Sequence, residues 1–132
     1  MIDLKNDKWF LTSDLNQGRE NHSSCCIGEL IFVICGEESF KKLNSIEKLD
    51  FGYSSSRTWE KIELEELTPR YCQVVCAISD KEILIMGGHD GESYLNDVLV
   101  YRHETNTIVK KTPSPLAFMS RGNVVKLQEG MC

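Results

Sequence analysis

"ILIMGGHDGESYLNDVLVY", residues 83–101, sets two short apolar runs around a glycine pair and a polar loop. Ile83 to Met86 run straight into Gly87 and Gly88, and Leu95-Asn96-Asp97 leads into Val98–Tyr101. Short runs rich in β-branched residues and bounded by Gly, Asn and Asp read as strands. "ILIM" is apolar at every position, so both of its faces are expected to be covered. Between the runs lie His89, Asp90, Ser93 and Tyr94, which suit either chemistry or the rim of a binding surface.

The pattern recurs along the chain. Arg19, Arg70 and Arg121 are each 51 residues apart and open similar phrases, "RENHSSCCIGELIFVICG", "RYCQVVCAISDKEILIMGG" and "RGNVVKLQEGMC". "IFVICGEE" from Ile31 lines up with "ILIMGGHD" from Ile83, and "NSIEKLD" from Asn44 with "NDVLVYR" from Asn96. Trp9 and Trp59 stand 50 apart, with Ile108 in the third copy of that place. Landmarks that keep their order and phase at a period near 50 indicate one supersecondary unit, copied. Each unit holds four strand-like segments, in the second copy about 71–78, 83–87, 96–101 and 107–111. "EKIELEEL", residues 60–67, could pass for two helical turns, but its place in the repeat favours a strand followed by a loop.

Composition narrows the function classes. The chain has 132 residues, 41% hydrophobic and 27% charged, with a formal net charge of −5, which fits one globular domain. An acidic balance argues against nucleic acid as the main partner, because phosphate binding needs a basic stripe. Lys41-Lys42 and Lys110-Lys111 are isolated pairs, read as solvated turn or edge residues. The N-terminal "MIDLKNDKWFLTSD" lacks the apolar core of a signal peptide, and no run reaches the roughly 18 residues of a membrane helix. The chain therefore reads as intracellular, with no membrane partner and a cytoplasmic location. Six cysteines (25, 26, 35, 72, 76 and 132) in a reducing compartment imply no disulfide framework. Most sit in or beside apolar runs as small hydrophobes, while Cys132 is expected to be exposed.

The repeat resembles the kelch repeat, the roughly 50-residue blade of a β-propeller. The second unit carries the resemblance best, with Arg70, an apolar run into Gly87-Gly88, "YLNDVLVY" and "TNTI". The first unit departs from it: Cys35 precedes Gly36 where a glycine pair is usual, "EKLD" replaces the tyrosine-containing strand, and "FGYSSSR" lengthens a turn. The resemblance covers about residues 8–127. It implies an all-β fold of antiparallel four-stranded blades, incomplete at about two and a half. Residues 8–12 would be the last strand of a preceding blade, 19–63 and 70–111 two full repeats, and 121–132 the start of another. A propeller closes with about four to eight blades, so the expectation is a piece of a longer chain or self-association that completes the ring. A glycine pair at a strand end lets neighbouring blades approach closely. Gly36, Gly87, Gly88, Tyr101, Trp9 and Trp59 are thus the structural residues, with both tryptophans packing in outermost strands.

The resemblance also implies a binding face, built from loops between second and third strands and from the segments between blades. It maps onto Glu37–Lys42, His89–Tyr94 and the approaches to Arg19, Arg70 and Arg121. Arginines spaced in this way either pin each blade through carbonyls and acids or form a ring for an acidic peptide. Asn21 and Asn123 would sit on the same rim, so the partner-binding set is Arg19, Asn21, Arg70, His89, Asp90, Tyr94, Arg121 and Asn123. His89, Asp90 and Ser93 lie too close together on one loop for the rigid geometry of a nucleophile and base. No nucleophile elbow or phosphate loop accompanies them. His22 and Cys26 would share a strand face about 13 Å apart, too far for one zinc. Expected, then, is a non-catalytic protein-interaction module without metal or cofactor, in an adaptor, cytoskeletal or scaffold role. The alternative is a fragment of a kelch-type enzyme such as an oxidase or a sugar mutarotase.

Overall fold

The computed structural model describes residues 2–52 and 57–115. A hairpin of β1 (Ile2–Asp3) and β2 (Lys8–Trp9) comes first. Then follow β3 (Ser23–Ile27), β4 (Leu30–Ile34), the short hairpin β5 (Glu37–Glu38) and β6 (Lys41–Lys42), β7 (Ser45–Asp50) and β8 (Glu60–Glu63). The second half carries β9 (Val74–Ala77), β10 (Glu82–Met86), β11 (Val98–Arg102) and β12 (Thr107–Lys111). Two four-stranded sheets result, ordered β3-β4-β7-β8 and β9-β10-β11-β12, with every pairing antiparallel. The expected all-β architecture of four-stranded blades holds, and 60–67 is a strand followed by a turn closed by Leu67 N–H on Leu64 O (3.0 Å).

Two strands are shorter at their starts than the sequence suggests, for one reason. Tyr71 and Cys72 leave the ladder before β9 because Tyr71 bridges to His89 and Cys72 turns left-handed (φ 54°). Asn96 and Asp97 precede β11 because their side chains hold neighbouring loops instead of lining a sheet.

The core lies between the sheets. Phe32, Ile34 and Ile46 of the first meet Ile83, Ile85, Leu99 and Tyr101 of the second, all essentially water-free. The Phe32 ring meets Tyr101 edge-on, with centroids 6.5 Å apart and planes at 78°. Burying each such side chain contributes about 1.5–3 kcal/mol. Tyr101 keeps its hydroxyl satisfied by donating to Asn106 Oδ1 (2.6 Å), and Asn106 turns the β11–β12 connection with φ 53°.

Coverage of both faces is achieved in β4, where Phe32, Val33 and Ile34 are all buried, but only in part in β10. Ile83 and Ile85 face the first sheet and are buried, while Leu84 and Met86 on the other face are half-exposed. Trp9 also corrects an expectation. It is 77% exposed, because β2 pairs with β1 alone and no further sheet covers it among the described residues. Trp59, just before β8, is half-buried, and its N–H donates to Ser13 Oγ (3.3 Å). The cysteines 25, 26, 35, 72 and 76 are free thiols; Cys26 is exposed, since alternation along β3 turns it away from the core.

Backbone and side-chain bonds stitch the sheets together at one end. Gly36 N–H donates to Arg70 O (2.9 Å), Arg70 N–H to Leu43 O (3.1 Å) and Cys72 N–H to Asn21 O (2.9 Å). Ser23 Oγ donates to Gln73 O (2.6 Å), and Gln73 Nε2 to Ile34 O (2.7 Å).

Candidate interaction face

Each sheet's entry segment is zipped to the loop that follows its glycine position. Glu20 and Glu37 exchange both backbone bonds at 2.9 Å, and Tyr71 and His89 do the same at 3.1 and 3.0 Å. The β5–β6 hairpin and the 89–94 loop therefore emerge on the same side, between the second and third strands of successive sheets. Asn44 and Asn96 support them alike, each side chain donating to a carbonyl beyond the outer strand, Leu64 O and Ser114 O, both at 3.0 Å.

The tight join explains the glycines. A Cβ on Gly88 (φ 92°) would lie 2.7 Å from Tyr71 O, and one on Gly36 (φ 95°) 2.6 Å from Glu20 O. Cys35 occupies the first position of the pair with φ 54°, close to the 61° of Gly87. A side chain is sterically admitted there at the cost of left-handed strain, about 1–2 kcal/mol.

Beneath the loops sit the arginines. Arg70 Nη1 donates to Gly87 O (3.0 Å) and to Asp97 Oδ1 (2.6 Å), Nη2 to Asp97 Oδ2 (2.7 Å), and Nε to Thr68 O (3.0 Å). Arg19 Nη1 reaches Cys35 O (2.9 Å) and Ser45 O (3.1 Å), and Nη2 reaches Ser45 Oγ (3.1 Å) and Glu47 Oε2 (2.7 Å). Glu47 also accepts from Asn16 N–H (2.6 Å), Asn16 Nδ2 (3.0 Å) and Gln17 N–H (3.2 Å). Burial pushes the Glu47 carboxyl up, but the Asn16 N–H, the Arg19 guanidinium and the Asn16 amide outweigh it and hold the group below the usual glutamate range. Both guanidinium side chains are 0% exposed, so Arg19 and Arg70 are placed as pins inside the blades and not as a surface ring. Arg121 and Asn123 lie outside the described residues.

The polar groups of the 89–94 loop shape the loop itself. Asp90 Oδ1 accepts from Glu92 N–H and Ser93 N–H, both at 2.8 Å. The Ser93 and Glu92 amides hold its carboxyl below the ordinary aspartate range. His89 Nδ1 accepts from Gly91 N–H (2.9 Å), which leaves the proton of the neutral ring on Nε2. Tyr71 Oη stands 3.4 Å from the same nitrogen. The His89 ring packs against Tyr71 (5.5 Å) and edge-on against Tyr94 (4.9 Å). Lys42 Nζ, from the first sheet's hairpin, lies 5.2 Å from the Tyr71 ring centre and 3.3 Å from Glu37 Oε2. Asn21 Nδ2 donates to Glu37 Oε1 (3.1 Å) on the same rim.

The structure thus brings Asn21, His89, Asp90 and Tyr94 to one face, with Tyr94 58% exposed. It adds Tyr71, and within the Glu37–Lys42 stretch that the sequence assigns to this face only as a whole it singles out Phe40 and Lys42. Lys42 is not simply a solvated lysine, since it pairs with Glu37 and lies over Tyr71. Phe40 carried a signal of its own, a large apolar residue between the hairpin's charged residues.

A family model described as the KLHDC2/KLHL20/DRC7 Kelch-repeats domain matches residues 1–126. The chain is also similar to "Kelch repeat and BTB domain-containing protein 1" of Ectromelia virus (strain Moscow), 31% identical over 102 residues. That match covers 67% of this chain and 18% of the viral protein, so the chain spans under a fifth of its relative's length.

Proposed function

Because the chain belongs to the kelch-repeat family, we propose that it is a non-catalytic protein-interaction module whose partner docks on the face built by the β5–β6 hairpin and the 89–94 loop. The observation that carries this reading is the continuity of that face across two blades. Lys42 of one blade lies over Tyr71 of the next, and Tyr71, His89 and Tyr94 extend the surface outward. An exposed tyrosine on a rigid, hydrogen-bonded loop is the residue type that anchors protein interfaces. His89 Nδ1 and Asp90 Oδ1 support the non-catalytic reading, since both accept from amides of their own loop.

The finer role we favour is a substrate adaptor in a larger assembly, the reading suggested by the relative whose name joins kelch repeats to a BTB domain. The case for an acidic partner weakens with Arg19 and Arg70 both buried, and passes to Lys41 and Lys42 on the rim. Five free thiols support a reducing, cytoplasmic setting.

The test compares proteins co-purifying with the wild-type chain, with a His89→Ala/Tyr94→Ala variant and with a Lys81→Ala/Glu104→Ala variant altered at the opposite ends of β10 and β11. Loss of a partner from the loop variant alone supports the reading. Equal retention by all three overturns it.

A further inference from the structure

Resting on that reading, we infer that Phe40 is the anchor of the interface, inserted into an apolar socket on a folded protein partner. Three observations converge on it. The first is backbone conformation: Glu38 pairs with Lys41, so Ser39 and Phe40 form a two-residue hairpin turn, and both are left-handed, with φ 48° and 68°. Such turns favour Asn-Gly, because a side chain at positive φ is strained. In the companion loop of the second blade the left-handed residue is Gly91 (φ 104°), the counterpart of Ser39. The first blade carries side chains at both of its left-handed positions, and the second of them is a phenylalanine.

The second is exposure. The Phe40 side chain is 87% exposed, so the strained position contributes no burial to the fold. Strain and an exposed aromatic at the same residue have no return in folding, and strained conformations of this kind cluster where a chain meets a ligand.

The third is rigidity. Lys42 Nζ donates to Phe40 O (2.9 Å), pairs with Glu37 (3.3 Å) and sits over Tyr71 (5.2 Å), so the turn is held at its base while its tip projects. A projecting, preorganised ring requires concavity in its partner, which a folded surface provides and an extended peptide does not. A lipid surface is the competing host for an exposed aromatic beside two lysines. It is disfavoured by Glu37 and Glu38 on the same hairpin, by Glu92 on the neighbouring loop and by the chain's net charge of −5.

The test places a photo-crosslinking benzoylphenylalanine at position 40 and, as control, at position 104, in the full chain expressed in cells. The adduct protein is then purified and titrated against the wild type, Phe40→Ala, Phe40→Gly and His89→Ala/Tyr94→Ala. We expect a discrete protein captured at 40 and not at 104, bound at least about tenfold more weakly by Phe40→Ala. Phe40→Gly should bind equally weakly while its folding equilibrium constant rises about threefold, because glycine relieves the strain. Capture at 40 no greater than at 104, equal affinities for wild type and Phe40→Ala, a Phe40→Gly variant less stable than wild type, or wild-type sedimentation with phosphatidylserine–phosphatidylcholine vesicles that Phe40→Ala abolishes would each overturn the inference. If the His89→Ala/Tyr94→Ala variant loses the partner but Phe40→Ala keeps it, the interaction face stands and only the anchor fails.

Discussion

Arg70 grips Asp97 with both prongs of its guanidinium, 2.6 and 2.7 Å from the two carboxylate oxygens, across 27 residues of chain. The arginine is fully buried, the aspartate side chain is about one-third exposed, and a third bond runs from Arg70 Nη1 to Gly87 O. The pair therefore joins the segment entering the blade to the end of its second strand and the start of its third. Planar, two-point recognition of this kind is open to arginine and closed to lysine. Arg70→Ala should cost about 2–4 kcal/mol, since it removes a buried side chain and leaves the Gly87 and Thr68 carbonyls without their partner, while Asp97 keeps some access to water. Asp97→Asn should cost about 1–3 kcal/mol. Urea denaturation of both variants checks the order, and an Arg70→Ala chain as stable as wild type would show that the pin is dispensable.

Glu47 makes the first blade pH-sensitive in a direction the geometry fixes. Its carboxyl is held below the ordinary glutamate value of about 4.3 by the Asn16 amide and Arg19, despite burial. A group with a lowered folded pKa stabilises fully above its unfolded value, and that contribution disappears as pH falls through the folded one. The stability difference between wild type and Glu47→Gln should therefore be constant above about pH 5 and shrink progressively below about pH 4. Urea midpoints at steps from pH 7 to pH 3 give the curve; a difference that grows with acidity would place the carboxyl's partners elsewhere.

What was readable in advance follows physical range. The strands announced themselves because β-branched runs and glycine boundaries act locally, and the 51-residue repeat multiplied each weak signal. The choice between structural and binding arginines depended on what lay across the chain. Asp97 stands 27 residues from Arg70, and Glu47 28 from Arg19, distances no local pattern spans. Even the repeat misleads here, because Glu47 is not the counterpart of Asp97; Ser45 occupies that place and the acid has moved two residues along the strand. Phe40 falls within the Glu37–Lys42 stretch of the expected face, but its prominence there was hidden for the opposite reason. Its charged neighbours mark a lone apolar residue, but only the hairpin register puts the ring at a turn's tip.

Gly88 should resist any side chain. Its φ of 92° is left-handed, and a Cβ would lie 2.7 Å from Tyr71 O and 3.1 Å from Gln73 Cα, both backbone atoms that cannot rotate aside. Gly88→Ala is expected to cost roughly 2–4 kcal/mol from strain and displaced strand pairing. Gly36→Ala should behave alike, given its 2.6 Å approach to Glu20 O. Cys35→Gly makes the contrast, since relief of its φ of 54° offsets loss of a fully buried thiol, leaving a net change within about 1 kcal/mol. Thermal unfolding of the three variants decides it, and a tolerant Gly88→Ala would show that the Tyr71–Gln73 entry segment and the loop after Gly88 can separate.

Thiol chemistry should separate the cysteines by face. Cys25 is pushed up to about 12 first by burial and then by its neighbours Cys26 and Cys76. Cys35 is raised to about 12 by complete burial, against the pull of Arg70 and Arg19. A thiol needs its thiolate to react, so both should be inert near neutral pH. Cys26 is the exposed thiol among the described residues, pointing off β3 away from the core. Brief iodoacetamide treatment followed by peptide mapping should find Cys26 alkylated, with Cys25 and Cys35 modified at least about a hundredfold more slowly until urea is added. Because Cys25 and Cys26 are adjacent, the mapping must resolve them by fragment ions. Equal labelling of the two would mean that β3 leaves its ladder in solution, and that the seam between the two blades opens with it.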